Sequence, residues 1–133
     1  MIVVDASAVV AMIVGEPGSE ELYRRMDQSR DRSISTVSVW EASCAVARLK
    51  SCARDFGLSL VREFLSGTGL RTIAPDDAIT ELAVEAAERY GRGPGYPGIL
   101  NLGDCFSYAT AKYLGATLLY KGDDFSRTDI PAA

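Results

Sequence analysis

Asp5, Glu41, Asp104, Asp123 and Asp124 stand where the chain changes character, and they are the residues best suited to do chemistry. Asp5 closes the apolar run Ile2-Val3-Val4. Glu41 lies in the first turns of a long helical pattern, Asp104 opens another, and Asp123 and Asp124 follow Leu118-Leu119-Tyr120. The chain has no histidine, which removes Ser-His-Asp and Cys-His catalysis, His-ligated zinc and imidazole acid–base chemistry. Its three cysteines, Cys44, Cys52 and Cys105, are not at zinc-ligand spacing and read as small buried apolar residues of a reduced protein. Acid–base or metal chemistry would therefore fall to carboxylates, lysines, tyrosines or thiols, and the candidates among them are the placed acids. Two of them about 4 Å apart repel by about 4 kcal/mol at an effective dielectric of 20. Relief comes from retained protons or from a divalent cation. Oxygen donors select Mg²⁺ or Mn²⁺ over zinc, and such an ion activates water and stabilises a departing oxyanion.

Each acid also has a plainer reading. Asp5 suits the N-cap of a helix starting at Ala6. Ser38-x-x-Glu41 and Asn101-x-x-Asp104 both fit a capping box, and Asp123-Asp124 fits a turn. Glu41 shares a helix face with Val37, Cys44 and Arg48, so Arg48 is placed to neutralise it.

The elements that must position these acids follow from hydrophobic period and punctuation. Ile2–Val4 has the unbroken apolar character of a strand buried on both faces. Helices are expected over 6–14, 19–29, 37–52, 55–67, 77–90 and 101–114, and strands over 33–35, 71–74 and 117–120, with at most a short edge strand near Ile130. Residues 91–100 hold four glycines and two prolines and read as a loop. Trp40 is expected in the core. Strands alternating with helices predict an α/β domain with a mainly parallel sheet of four to five strands and helices on both faces. Ligands of such sheets bind beyond the strand carboxyl ends, where Asp5 and Asp123 fall. The 133 residues suit one domain, 1–133. With 47% hydrophobic and 24% charged residues the chain is globular rather than disordered. A net charge of −4 argues against a general DNA-coating protein. No apolar run nears the ~20 residues of a membrane span, and Asp5 spoils a signal peptide, so a cytoplasmic location is expected.

The acids in context resemble the PIN-domain ribonucleases, specifically the VapC toxins of bacterial toxin–antitoxin pairs. Ile2-Val3-Val4-Asp5-Ala6-Ser7-Ala8 is similar to their opening strand and Asp-x-Ser. Val39-Trp40-Glu41-Ala42 is similar to their helix glutamate motif, and Asn101-Leu102-Gly103-Asp104-Cys105 with Tyr108-Ala109 to their central aspartate motif. Leu118-Leu119-Tyr120-Lys121-Gly122-Asp123-Asp124-Phe125 resembles their last strand and acidic turn. The likeness spans the chain, although Lys121-Gly122-Asp123 stands where many members carry Thr-x-Asp. It implies a PIN fold and Mg²⁺- or Mn²⁺-dependent hydrolysis of structured RNA, tRNA or rRNA. Asp5, Glu41, Asp104 and Asp123 are then catalytic metal ligands, with Asp124 a further one, and Ser7 is a supporting hydroxyl. Lys121, Arg92 and Arg48 lead the candidate phosphate contacts, followed by Lys50, Arg54 and Lys112. The resemblance also implies a homodimer and a VapB-type antitoxin, for which the apolar faces of 8–14 and 56–65 offer a groove. Two other readings compete. A haloacid-dehalogenase-type phosphohydrolase would use Asp5 as nucleophile but wants an acid at position 7. A PIN-like binding module would have lost its catalysis.

Overall fold

Strand β1 (Ile2–Val4) lies inside a four-stranded parallel sheet in the computed structural model, which describes residues 1–133. Strand order is β3-β2-β1-β4, with β2 at Arg32–Ser35, β3 at Arg71–Ile73 and β4 at Thr117–Leu119. Ile2 pairs with Arg32 on one side and Thr117 on the other, and Val4 with Leu119. The expected fifth strand is a single parallel bridge, Leu118 to Ala132.

Between strands run α1 (Ala6–Val14), α2 (Ser19–Met26), α3 (Thr36–Lys50), α4 (Arg54–Thr68), α5 (Asp77–Tyr90) and α6 (Leu102–Leu114). The pleat sends successive side chains to opposite faces. Ile2, Val4, Ile34 and Leu119 pack against α1–α4, whereas Val3 and Leu118 pack against α5 and α6. This gives helices on both faces, as expected. Gly57 lets α4 approach α3, since a Cβ there would collide with the Ser43 carbonyl.

Three expectations change. Helix α2 ends at Met26 rather than 29, where its apolar stripe runs out. Helix α3 is capped by Ser35, whose hydroxyl accepts from the Val37 amide at 3.2 Å; Ser38 therefore lies inside the helix, and no capping box joins it to Glu41. Trp40 is 68% exposed rather than core, because Val39, Ser43 and Val46 supply the packed face of α3. The 91–100 loop returns to its origin: the Ile99 and Leu100 amides both donate to the Tyr90 carbonyl, delivering Asn101 to the start of α6.

Candidate active site

Asp5 is the fixed point of the site. It caps α1, with Oδ2 accepting from the Ser7 amide at 2.9 Å and the Ser7 hydroxyl at 2.6 Å. Its Oδ1 accepts from the Ser107 hydroxyl at 2.5 Å, and Ser107 Oγ lies 2.9 Å from Ser38 Oγ. Ser107 spends its one proton on Asp5, so Ser38 must donate to Ser107. Both serines are fully buried. Ser38 stands three residues before Glu41 and Ser107 three after Asp104, so one hydroxyl chain ties together the three elements bearing Asp5, Glu41 and Asp104. Ser7 Oγ also accepts from the Lys121 amide at 3.0 Å, fastening the turn after β4 to Asp5.

Asp104 forms the capping box expected at α6. Its amide donates to Asn101 Oδ1 at 2.8 Å, and its Oδ2 accepts from the Asn101 amide at 3.0 Å. The cap uses one carboxylate oxygen and leaves Oδ1 without a protein partner. Glu41 lies over Gly103 so closely that a Cβ there would overlap the carboxylate. Its Oε1 is buried and has no hydrogen-bond partner.

The electrostatics match this crowding. Burial, then the charges of Asp5 and Asp104, push Glu41 up to about 7. Burial likewise raises Asp104, to about 6, with Asp5 and Asp124 adding to it and the Asn101 amide and Arg92 opposing. Arg48 is exposed and has no part in the forces on Glu41, so the expected neutralisation is absent. Of the two turn acids, the half-buried Asp124 is the one whose charge reaches Asp104. Asp123 stays exposed on the turn, whereas Phe125, two residues on, folds inward against Tyr120. Asp124 also accepts from Arg127 at 3.1 Å. Lys121 pairs with Glu16 across the rim.

No three acids or thiols stand close enough to enclose an ion by themselves. An open site still fits a hard cation, since Mg²⁺ is commonly held through one or two carboxylates with other oxygens completing its shell. The orphaned Glu41 oxygen and the raised acids beside it are what such a cation would relieve. Around them lies a cleft of about 600 Å³ lined by Ser7, Trp40, Glu41, Asn101, Lys121 and Gly122, among others. It opens between the carboxyl ends of β1 and β4, where strand order reverses.

The PIN-domain family model matches residues 2–131. The chain is 38% identical to a VapC ribonuclease of Rhizobium meliloti, over 96% of this chain and 97% of that protein. The chain belongs to the PIN-domain family of VapC ribonucleases. It is also 38% identical to ribonuclease VapC42 of Mycobacterium tuberculosis, with 98% of both chains covered. The VapC fold recurs in VapC20 of Mycobacterium tuberculosis, a sarcin-ricin-loop-cleaving toxin, at a TM-score of 0.76 and 16% identity, covering 100% of this chain and 98% of that one. A toxin–antitoxin complex from Klebsiella pneumoniae gives a TM-score of 0.72 at 18% identity, covering 97% and 93%. Membership of the VapC family overturns the dehalogenase-type reading; position 7 is a serine bonded to Asp5 rather than a second acid. Ser107 was not singled out by the motifs, and Ser38 and Gly103 were named there without the parts they play here. Their signal was helical spacing, a small residue one turn from Glu41 or beside Asp104.

Proposed function

We propose that this chain is a divalent-metal-dependent endoribonuclease of the toxin type, cutting structured RNA such as tRNA or rRNA. The observation that carries the reading is the buried, unpartnered Glu41 carboxylate facing Asp5 and Asp104. Asp5, Glu41 and Asp104 would hold Mg²⁺ or Mn²⁺, with Asp124 rather than Asp123 completing the set. The cation supplies water activation and charge neutralisation at a phosphodiester. The chain's own part is orientation. Ser7 and Ser107 fix both oxygens of Asp5, the Asn101 cap fixes Asp104, and Gly103 leaves room for Glu41. Arg92, whose charge reaches Asp104, and Arg48 on the cleft rim suit phosphate; Lys121 does so once it leaves Glu16.

Partners belong to the same reading. Structures with this fold from Klebsiella pneumoniae and Rickettsia felis are toxin–antitoxin assemblies, which supports neutralisation by a VapB-type antitoxin. Exposed Val84 and Leu102 border an apolar hollow between α5 and α6, which supports pairing of two copies. No helix is long and apolar enough to cross a membrane, in keeping with action on cytoplasmic RNA.

The test is cleavage of total cellular RNA by purified, antitoxin-free protein in Mn²⁺, in Mg²⁺ and in EDTA, beside Asp5→Asn. Discrete fragments that require both metal and Asp5 are expected. Fragments that persist in EDTA would remove the metal site, and no cleavage under either metal would favour the inactive binding module.

A further inference from the structure

Trp40, the only tryptophan of the chain, stands in the open immediately before Glu41, with 68% of its surface exposed. It borders the acid cleft. It also borders a hollow of about 560 Å³ between α3 and α4 that is lined by Arg54, Leu58, Arg62 and Thr72 among others. A third hollow places it beside Arg48 and Arg54. Arg48, Arg54 and Arg62 form no ion pair, whereas seven ion pairs occupy other cations of the chain. Asp55 shares the α3–α4 hollow and offsets one of these charges. On a chain of net charge −4, three guanidinium groups against that one carboxylate leave the α3–α4 side of the exposed indole locally positive.

That combination has a specific chemistry. An indole face takes any nucleobase by stacking, and free guanidinium groups take the phosphates on either side. The ring is no part of this chain's own core, and a purely electrostatic patch would not need it. We propose that Trp40 is a stacking platform for a base of single-stranded RNA. Arg48, Arg54 and Arg62 hold the flanking phosphates, so that an unpaired stretch is led from the α3–α4 hollow into the acid cleft. This rests on the ribonuclease reading above and adds to it the residues outside the acid cleft that grip the RNA.

The lone tryptophan reports on its own site. With EDTA present to prevent cleavage, the protein is titrated with a single-stranded RNA heptanucleotide of mixed sequence, with its abasic counterpart and with a glutamate-rich peptide. Saturable quenching by the RNA is expected, with little by the abasic strand or the peptide. Anisotropy of labelled heptanucleotide should show Trp40→Ala binding roughly 5- to 150-fold more weakly, the range that loss of one base–aromatic stack produces. Trp40→Phe should keep most of the affinity, and Arg54→Ala with Arg62→Ala should flatten the salt dependence. Unchanged RNA binding by Trp40→Ala would overturn the proposal. Equal quenching by the abasic strand, or quenching by the peptide alone, would overturn it in favour of a charge-reading or protein-docking face. If metal-dependent cleavage persists in Trp40→Ala with unchanged KM, the platform falls and the ribonuclease reading stands. If the wild type cuts no RNA, that reading falls first.

Discussion

Asp5 receives three hydrogen bonds from Ser7 and Ser107, whereas the buried Glu41 oxygen receives none. The first carboxylate is fully engaged by the protein's own hydroxyl and amide donors, whereas the second has a buried oxygen that none of them reaches. Glu41→Gln should therefore stabilise the metal-free protein at pH 8, seen as a higher melting temperature, while cleavage falls at least about 100-fold, the upper range for perturbing a metal site. The wild-type pH dependence follows with a definite sign. Folding raises Glu41 from 4.5 to about 7 and Asp104 from 3.8 to about 6, so between those values the native state binds more protons than the unfolded chain. Their contribution is complete below about pH 4 and is lost as pH rises through 7. Chemical denaturation from pH 5 to 8 in EDTA should show this decline, and saturating Mn²⁺ should flatten it because the cation displaces those protons. A decline unaltered by Mn²⁺ would place no ion at these acids.

At the level of elements, the site is a joint between α3 and α6 closed over the end of β1. Gly103→Ala would drive the Glu41 carboxylate off the first turn of α6, since the added methyl has nowhere else to go. The methyl raises helix propensity by up to about 1 kcal/mol. The fold should therefore persist by circular dichroism while Mn²⁺ affinity drops about tenfold or more. The Ser38–Ser107 link acts on the same joint. Ser107→Ala removes the hydrogen bond on Asp5 Oδ1 and should weaken metal binding by about 10- to 100-fold, with Ser107→Thr restoring part of it. On the far side, Asp129 accepts from Tyr108 at 2.6 Å, Lys112 at 3.0 Å and Tyr90 at 3.2 Å. The Tyr108 bond leads in holding its carboxyl well below the usual range. This strap fastens the segment after Asp124 to α5 and α6. Asp129 is about two-fifths exposed, so screening trims its worth. Asp129→Asn should lower the melting temperature by only about 4 °C, the shift that a loss near 1 kcal/mol gives in a domain of this size.

Over the whole molecule, a reversal of strand order between β1 and β4 gathers acids that are up to 119 positions apart in the chain, from Asp5 to Asp124. On the proposed metal site, metal and stability should be coupled. At a concentration 100 times its Kd, a cation that binds only the native state adds about 2.7 kcal/mol. Differential scanning calorimetry should show that gain with Mn²⁺ in the wild type and lose it in Asp5→Asn. An equal gain in both proteins would mean that the ion binds elsewhere. The net charge of −4 repels RNA at long range, so the unpaired arginines around Trp40 work against the molecule's own field, and association should weaken steeply with salt.

The sequence by itself determined the layers, the parallel sheet, the loop at 91–100 and the four elements that carry acids. Those features rest on local period and punctuation: the apolar run before Asp5, the helical spacing after Ser35, the glycines before Asn101. It also contained the Asn101–Asp104 cap and the Asp5 cap, since both join residues within a few positions of one another. Only the tertiary structure distinguishes Asp123 from Asp124: the half-buried Asp124 lies near enough for its charge to reach Asp104, while Asp123 stays exposed, a difference that depends on how the turn packs against α6. Only it exposed Trp40, since a helix face becomes buried when another element lands on it, and none lands there. The Ser38–Ser107–Asp5 chain was equally out of reach: its links span 69 and 102 residues, and nothing in a serine's local context says which distant hydroxyl or carboxylate it will meet.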